Sequence, residues 1–373
     1  MHVVTSALAS AALVSAVTVG CTSLPGHPGR GEGSSAMIFP GQVWVEAAPE
    51  SQGVDAAKLE AAMQILADIC KDRKGSEHKG KSRSLVIRNG RLIWKGSDID
   101  AVQPIHSCTK SMTSSVFGVL VDQGRCTPGT LAADIYPALE EHYPDARLGH
   151  FATLTSGYTI ARREPWTDLR EPSHPPGAAI HYNGQGHMLS FLLQQLAGEQ
   201  ISQVWREHVA RRIGIPDETW NWEEVGELEG VTVNGGASGM EINARQIARV
   251  GHLYLNKGVW DGERILSENW VEVSTIPQVP PHTRCHLRPD IWYNVLPGRY
   301  GYNWWTNGIG ADGKRFWKHA PDGTFFAQGN FNNHCIVVPE WDLVLVHLDR
   351  GKAIDSKLYD NVFAVLREAI RKQ

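Results

Sequence analysis

Between Val54 and Asp72 the apolar residues Leu59, Met63, Leu66 and Ile69 return every three or four positions, which predicts an amphipathic helix. A charged, glycine-containing loop follows from Lys71 to Lys81. The pattern then turns extended in Ser84–Arg88 and Arg91–Lys95, with Asn89-Gly90 between them, the strongest short signal for a two-residue hairpin turn. Polar Gln103-Pro104-Ile105-His106 leads into Met112–Val121, a nearly uncharged apolar run that reads as a buried helix. Near the other end, His334–Val338 and Leu343–Leu348 read as strands separated by Pro339-Glu340-Trp341-Asp342. A last amphipathic helix is expected from about Asp355 to Arg371. Strands from both ends thus bracket a helix-rich middle with no repeat period. That order predicts an α+β fold: one antiparallel sheet built from N- and C-terminal strands, flanked by helices, with a helical subdomain inserted at roughly 107–290 and an active site where the two regions meet.

Composition narrows the function classes. With 373 residues, 42% hydrophobic and 20% charged, the chain can bury a substantial core. A formal net charge of −4 and a pI near 6.5 give no electrostatic reason to expect nucleic acid as a partner. The six cysteines show no CxxC and no zinc spacing, and the histidines show neither HxH nor HExxH. His187 and His334 are therefore expected to be structural, with no metal and no other cofactor. Residues 1–21 are small and apolar up to Cys21 and resemble an export signal closing on a lipoprotein-type cysteine. Residues 22–40, rich in Gly, Pro and Ser, read as a flexible tether, which leaves 41–373 as a single catalytic domain. The expected location is exported, periplasmic or held at the membrane through the N-terminus.

The chemistry concentrates at Ser107-Cys108-Thr109-Lys110. Positions i and i+3 share a helix face, so the Ser107 hydroxyl and the Lys110 amine point the same way. A lysine beside a buried helix loses hydration, its pKa falls, and the free amine can take the serine proton. Ser107 also stands at the helix N-terminus, where unpaired N–H groups favour a developing anion. The bland alternative for this pattern is an N-cap serine with a surface lysine. His106 is adjacent to Ser107 and faces elsewhere, so it is expected to make a local hydrogen bond rather than act as base. No Gly-x-Ser-x-Gly elbow surrounds Ser107, and Ser156 reads as a turn serine. Most of the thirteen tryptophans are expected in the core, with a minority walling a substrate cleft.

Further segments keep company with that motif: Leu154-Thr155-Ser156-Gly157-Tyr158, Pro176-Gly177 through Tyr182-Asn183, Gly235-Gly236-Ala237-Ser238-Gly239-Met240, Tyr300-Gly301-Tyr302-Asn303-Trp304-Trp305 and Phe326-Ala327-Gln328-Gly329. Together, and in this order, they resemble the serine β-lactamase and penicillin-binding protein superfamily, closest to its esterase-like, class-C-related branch. The resemblance covers most of the chain after about Gly41 and implies a β-lactamase/transpeptidase-like fold. It also implies three catalytic elements. Ser107 and Lys110 carry the first. The second is a Tyr-x-Asn loop, here Tyr182-Asn183-Gly184: the Pro176-Gly177 anchor puts Tyr182 at the tyrosine position, whereas counting back from Leu196-Ala197-Gly198 gives His181 and Asn183. The third, Lys-Thr-Gly, is replaced by Ala327-Gln328-Gly329, which lacks the charge that grips a β-lactam carboxylate. The resemblance therefore implies that backbone N–H groups of Ser107 and Asn330 form an oxyanion hole, with Gln328, Gly329 and Asn183 around the substrate.

The leading expectation is a metal-independent serine hydrolase that works through an acyl-enzyme on a small-molecule carboxylic ester or small amide. A true β-lactamase or D,D-peptidase is the alternative within enzymes. A non-catalytic cell-surface binding or sensor module is the alternative outside them.

Overall fold

The computed structural model describes residues 36–71, 82–160, 165–286, 295–351 and 356–370. The expected export segment, most of the tether and nearly all of the charged 71–81 loop lie outside these residues. A six-stranded antiparallel sheet organises the rest. Its strands are β1 (Arg83–Arg88), β2 (Arg91–Lys95), β3 (Trp305–Thr306), β4 (Phe325–Gly329), β5 (Asn333–Val338) and β6 (Leu343–Leu348), in the spatial order β3-β4-β5-β6-β1-β2. The two ends of the chain meet at the β1–β6 pair, where Leu85 stands opposite Val346 and Val86 opposite Leu345. In the hairpin, Asn89 (φ 50°) and Gly90 (φ 77°) both adopt the left-handed backbone. A Cβ on Gly90 would lie 1.8 Å from the Ile38 carbonyl oxygen, so the turn also requires glycine for space.

Both faces of this sheet are covered, which is why β1, β5 and β6 are buried at every position. Side chains alternate between the two sides. Val86, Ile336 and Leu345 pack with Leu59, Met63 and Leu66 of α1 (Ala56–Lys71) and with Phe363 and Leu366 of the C-terminal helix (Ser356–Ala369). Leu85, Ile87, Cys335, Val337 and Val346 face the helical region, against Met112, Ile247 and Leu253. The N- and C-terminal helices thus lie on one side of the sheet and the helix-rich middle on the other, the α+β arrangement expected.

Helix α2 (Thr109–Asp122) runs through the middle and is buried from Thr109 to Leu120. Its hydroxyl residues tolerate burial because each bonds a carbonyl. Ser111 Oγ donates to Asn303 O at 2.8 Å, Thr113 Oγ1 to Gly236 O at 3.0 Å, and Ser114 Oγ to Tyr302 O at 2.7 Å. Gly118 leaves room for the Trp270 ring, which a Cβ would meet at 2.2 Å. Short strands Gln103–Pro104, Trp220–Trp222 and Met240–Ile242 form a second, three-stranded sheet beside the start of α2.

Candidate active site

Ser107 sits in a single 3-10 turn, His106–Cys108, that continues into α2. The turn is held from two directions. Ile105 N donates to Met240 O at 3.0 Å, and Met240 N donates to Thr109 Oγ1 at 3.1 Å, so the Met240 strand clamps it on one side. On the other side the end of β4 presses directly on it. A Cβ on Gly329 would fall 2.1 Å from the Ile105 carbonyl oxygen and 3.1 Å from the Cys108 nitrogen. Only glycine permits that approach. His106 takes a positive φ of 50° in this turn. Its backbone carbonyl accepts from the Thr109 hydroxyl at 2.6 Å, and its ring tilts against Phe331 with centroids 4.9 Å apart.

Lys110 is 3% exposed. Its Nζ lies 3.1 Å from Ser107 Oγ and donates to Ala237 O at 2.7 Å. Burial lowers its pKa from 10.5 to about 7. A neutral amine has two N–H donors and one lone pair. With one N–H committed to Ala237 O, the lone pair is available to Ser107. The Ala237 carbonyl reaches Lys110 because small residues bring its segment close. A Cβ on Gly236 would strike the Gly186 carbonyl oxygen at 2.1 Å, and one on Gly186 would meet Ala237 Cα at 3.0 Å. Gly235-Gly236 was the visible signal for this approach, but a backbone acceptor leaves no side-chain signature in a sequence.

Tyr182, half-buried, presents its ring 4.8 Å from Lys110 Nζ. Burial pushes its phenol up to about 12, against the opposing pull of a hydrogen bond with Ser107. His181 points elsewhere: its ring packs on His286 at 4.8 Å and its Nδ1 lies 3.4 Å from Ser173 Oγ. Of the two registers for this loop, the one with Tyr182 at the serine matches the geometry.

Asn183 corrects an expectation. Expected around the substrate, it instead donates from Nδ2 to Tyr158 O at 2.7 Å and accepts at Oδ1 from Gln185 N at 2.9 Å. Both ends of the amide are spent folding the loop that enters the helix Gln185–Ala197. Gln185, which sequence reasoning passed over, completes the support: it accepts from Ser156 Oγ at 2.5 Å and donates to His181 O at 2.7 Å. Ser156 is a turn serine, as expected.

Ser107, Tyr182, Gln328, Gly329 and Asn330 line one cleft of about 330 Å³, which extends over Trp305 and Trp317. Among the described residues, neither Ser107 N–H nor Asn330 N–H bonds an acceptor outside its own turn. The tryptophans divide as expected. Trp304 is fully buried and Trp220 and Trp222 pack on Trp205, whereas Trp305 reaches the cleft. His334 is buried on β5 with Nδ1 2.8 Å from the Tyr359 hydroxyl, and burial with the Lys110 charge takes His187 down to about 4. No group of three or more His, Cys, Asp or Glu among the described residues is arranged to hold a metal.

Residues 84–360 match the Beta-lactamase family model. A 6-aminohexanoate-dimer hydrolase of Paenarthrobacter ureafaciens is 24% identical over 314 residues, 72% of this chain and 76% of that protein. The fold is similar to that of a family VIII carboxylesterase (TM-score 0.63, 16% identity, 85% of this chain and 99% of that one). It is also similar to a penicillin-binding protein homolog from Caulobacter crescentus (TM-score 0.62, 13% identity, 85% and 98%). With three quarters of its length inside the family model, the chain belongs to the Beta-lactamase family and is a serine hydrolase.

Proposed function

We propose that Ser107, Lys110 and Tyr182 carry out acyl transfer to water from a carboxylic ester or small amide. The observation that carries this reading is the Lys110 amine: buried, lowered to about 7, and fixed between Ala237 O and Ser107 Oγ. Neutral Lys110 takes the Ser107 proton as Oγ attacks the substrate carbonyl. The oxyanion that develops is received by the N–H groups of Ser107 and Asn330. Tyr182 stays a neutral phenol at physiological pH and can only donate or relay. It passes the proton from the Lys110 ammonium to the leaving alcohol or amine. Water then attacks the Ser107 ester, with Lys110 again the base, and releases the acid.

Substrate preference follows from the strand side. Ala327 and Gln328 put no cation where a β-lactam carboxylate would need one, which supports an ester or amide. The activities named for the hydrolase and carboxylesterase relatives point in the same direction. The test is a hydrolysis screen over short-chain esters, small amides, nitrocefin and D-Ala-D-Ala peptides, run beside Ser107→Ala. Ester or amide turnover that vanishes in Ser107→Ala is expected. Nitrocefin cleaved as fast as simple esters would overturn the substrate preference, and turnover surviving in Ser107→Ala would overturn the mechanism.

A further inference from the structure

We propose that the cleft beyond Ser107 is a recognition subsite for an uncharged, ring-bearing part of the substrate, with Gln328 as its polar reader. This deepens the hydrolase reading above and rests on it.

On β4, Phe326 and Gln328 share one face because strand side chains alternate. That face turns away from the catalytic helix toward the C-terminal helix. Phe326 stacks on Trp305 with centroids 5.9 Å apart and lies 4.2 Å from the Trp317 ring. Gln328 stands opposite His334 in the β4–β5 pair, and His334 is hydrogen-bonded to Tyr359. Trp305, Phe316, Trp317 and Tyr359 therefore wall a space that opens onto Ser107. No Lys, Arg, Asp or Glu lines it among the described residues. Burial takes His334 down to about 3, so it too is uncharged near neutral pH. A carboxylate entering this space would lose its hydration with nothing to neutralise it, whereas a planar neutral group gains aromatic contact.

Among the polar residues of the lining, which include Asn330, Asn332 and His334, Gln328 carries an acceptor left open. Gln328 Oε1 is buried and has no hydrogen-bond partner among the described residues. Buried amide oxygens are nearly always satisfied, so an orphan beside a nucleophile marks a position that a ligand completes. A substrate N–H or O–H carried on the ring is the matching chemistry. The volume, about 330 Å³, sits at the small end of ligand sites and accommodates one ring beside the reacting carbonyl.

Three acetate esters test this: methyl 4-acetoxybenzoate (neutral ring), 4-acetoxybenzoic acid (anionic ring at pH 7.5) and 4-acetamidophenyl acetate (neutral ring with an N–H). For each, kcat/KM is divided by the rate of hydroxide hydrolysis to remove intrinsic reactivity. The wild-type protein is expected to favour the neutral over the anionic ester roughly 10–100-fold, and Gln328→Lys to cut that ratio about tenfold. Gln328→Leu, which keeps the shape and removes the amide, is expected to erase the advantage of the N–H-bearing ester over the methyl ester. A wild-type neutral-to-anionic ratio near one, or ratios unmoved in both variants with native circular dichroism, overturns the subsite. Labelling of wild-type Ser107 by a small uncharged fluorophosphonate separates the two claims. A labelled serine with flat ratios sinks the subsite alone, and an unlabelled serine sinks the hydrolase reading beneath it.

Discussion

The two sides of Ser107 are built on opposite principles. On the helix side the polar groups at the start of α2 are held in place. Lys110 is fixed by Ala237 O, Thr109 by the His106 carbonyl and Met240 N, and Thr113 by Gly236 O. On the strand side Gly329 touches the nucleophile turn through bare backbone, Trp305, Phe316, Trp317 and Tyr359 supply aromatic walls, and among the described residues the Gln328 amide oxygen has no partner. Buried polar networks fix geometry when they are complete. Chemistry is therefore over-determined on one side, while the other is left unfinished for the substrate to complete. Changes on the helix side should abolish turnover of every substrate; changes on the strand side should redistribute turnover among substrates.

The largest effect should come from Lys110→Arg. Arginine cannot be deprotonated in a protein, so acylation should fall by ~10²–10⁴ or more for all esters alike. An arginine variant that turns over normally would dissolve the distinction between the two sides. Lys110→Met should be equally inactive but more stable than wild type. The lysine pKa is about 7 folded and 10.5 in its ordinary state, so between those values the unfolded chain binds more protons. Its burial therefore costs the fold up to about 5 kcal/mol below pH 7, and the cost fades as pH rises toward 10.5. Chemical denaturation at pH 7 and pH 10 measures the gain and its disappearance. An unchanged or lower stability at pH 7 would mean the ammonium is better solvated than its burial implies.

Tyr182→Phe keeps the ring over Lys110 and removes the relay, for an expected loss of ~10² in kcat with esters, greater with amides whose leaving group needs the proton more. Equal losses for esters and amides would assign Tyr182 to packing instead. Gly329→Ala forces a Cβ against Ile105 O and displaces the strand from the serine. Roughly tenfold lower kcat and about 1–3 kcal/mol lower stability are expected, read by kinetics and thermal unfolding. His106→Ala should change kcat/KM by no more than about threefold, since its ring contacts Phe331 rather than the serine. A loss of a hundredfold would make it part of the proton path.

The sheet was legible where the code is local. Asn89-Gly90 announces its turn, and the β1 and β6 runs are apolar on both faces because both faces are covered. The terminal helices carry clear stripes. Strands of two or three residues, such as Gln103–Pro104 and Met240–Ile242, have no period to read, and the second of these supplies the clamp on the nucleophile turn. Within the site, Ser107 and Lys110 were visible as a spacing, and the geometry of Tyr182 agrees with the register set by Pro176-Gly177. Asn183 was misplaced because its side chain bonds nearby backbone groups, which residue identity does not reveal. The support from Ala237 O is a main-chain contact, and the fit of Gly329 against Ile105 depends on two segments more than two hundred residues apart.

The central claim is that a neutral Lys110 activates Ser107, and the pH dependence of Ser107 acylation tests it most directly. Fluorophosphonate labelling at this serine should rise about tenfold per pH unit on the acid side, bend near pH 7 where Lys110 loses its proton, and stay level above. In Lys110→Met the labelling should be slow and without that bend. A profile that bends near the ordinary lysine value of about 10.5, or a methionine variant that labels as fast as wild type, would contradict it.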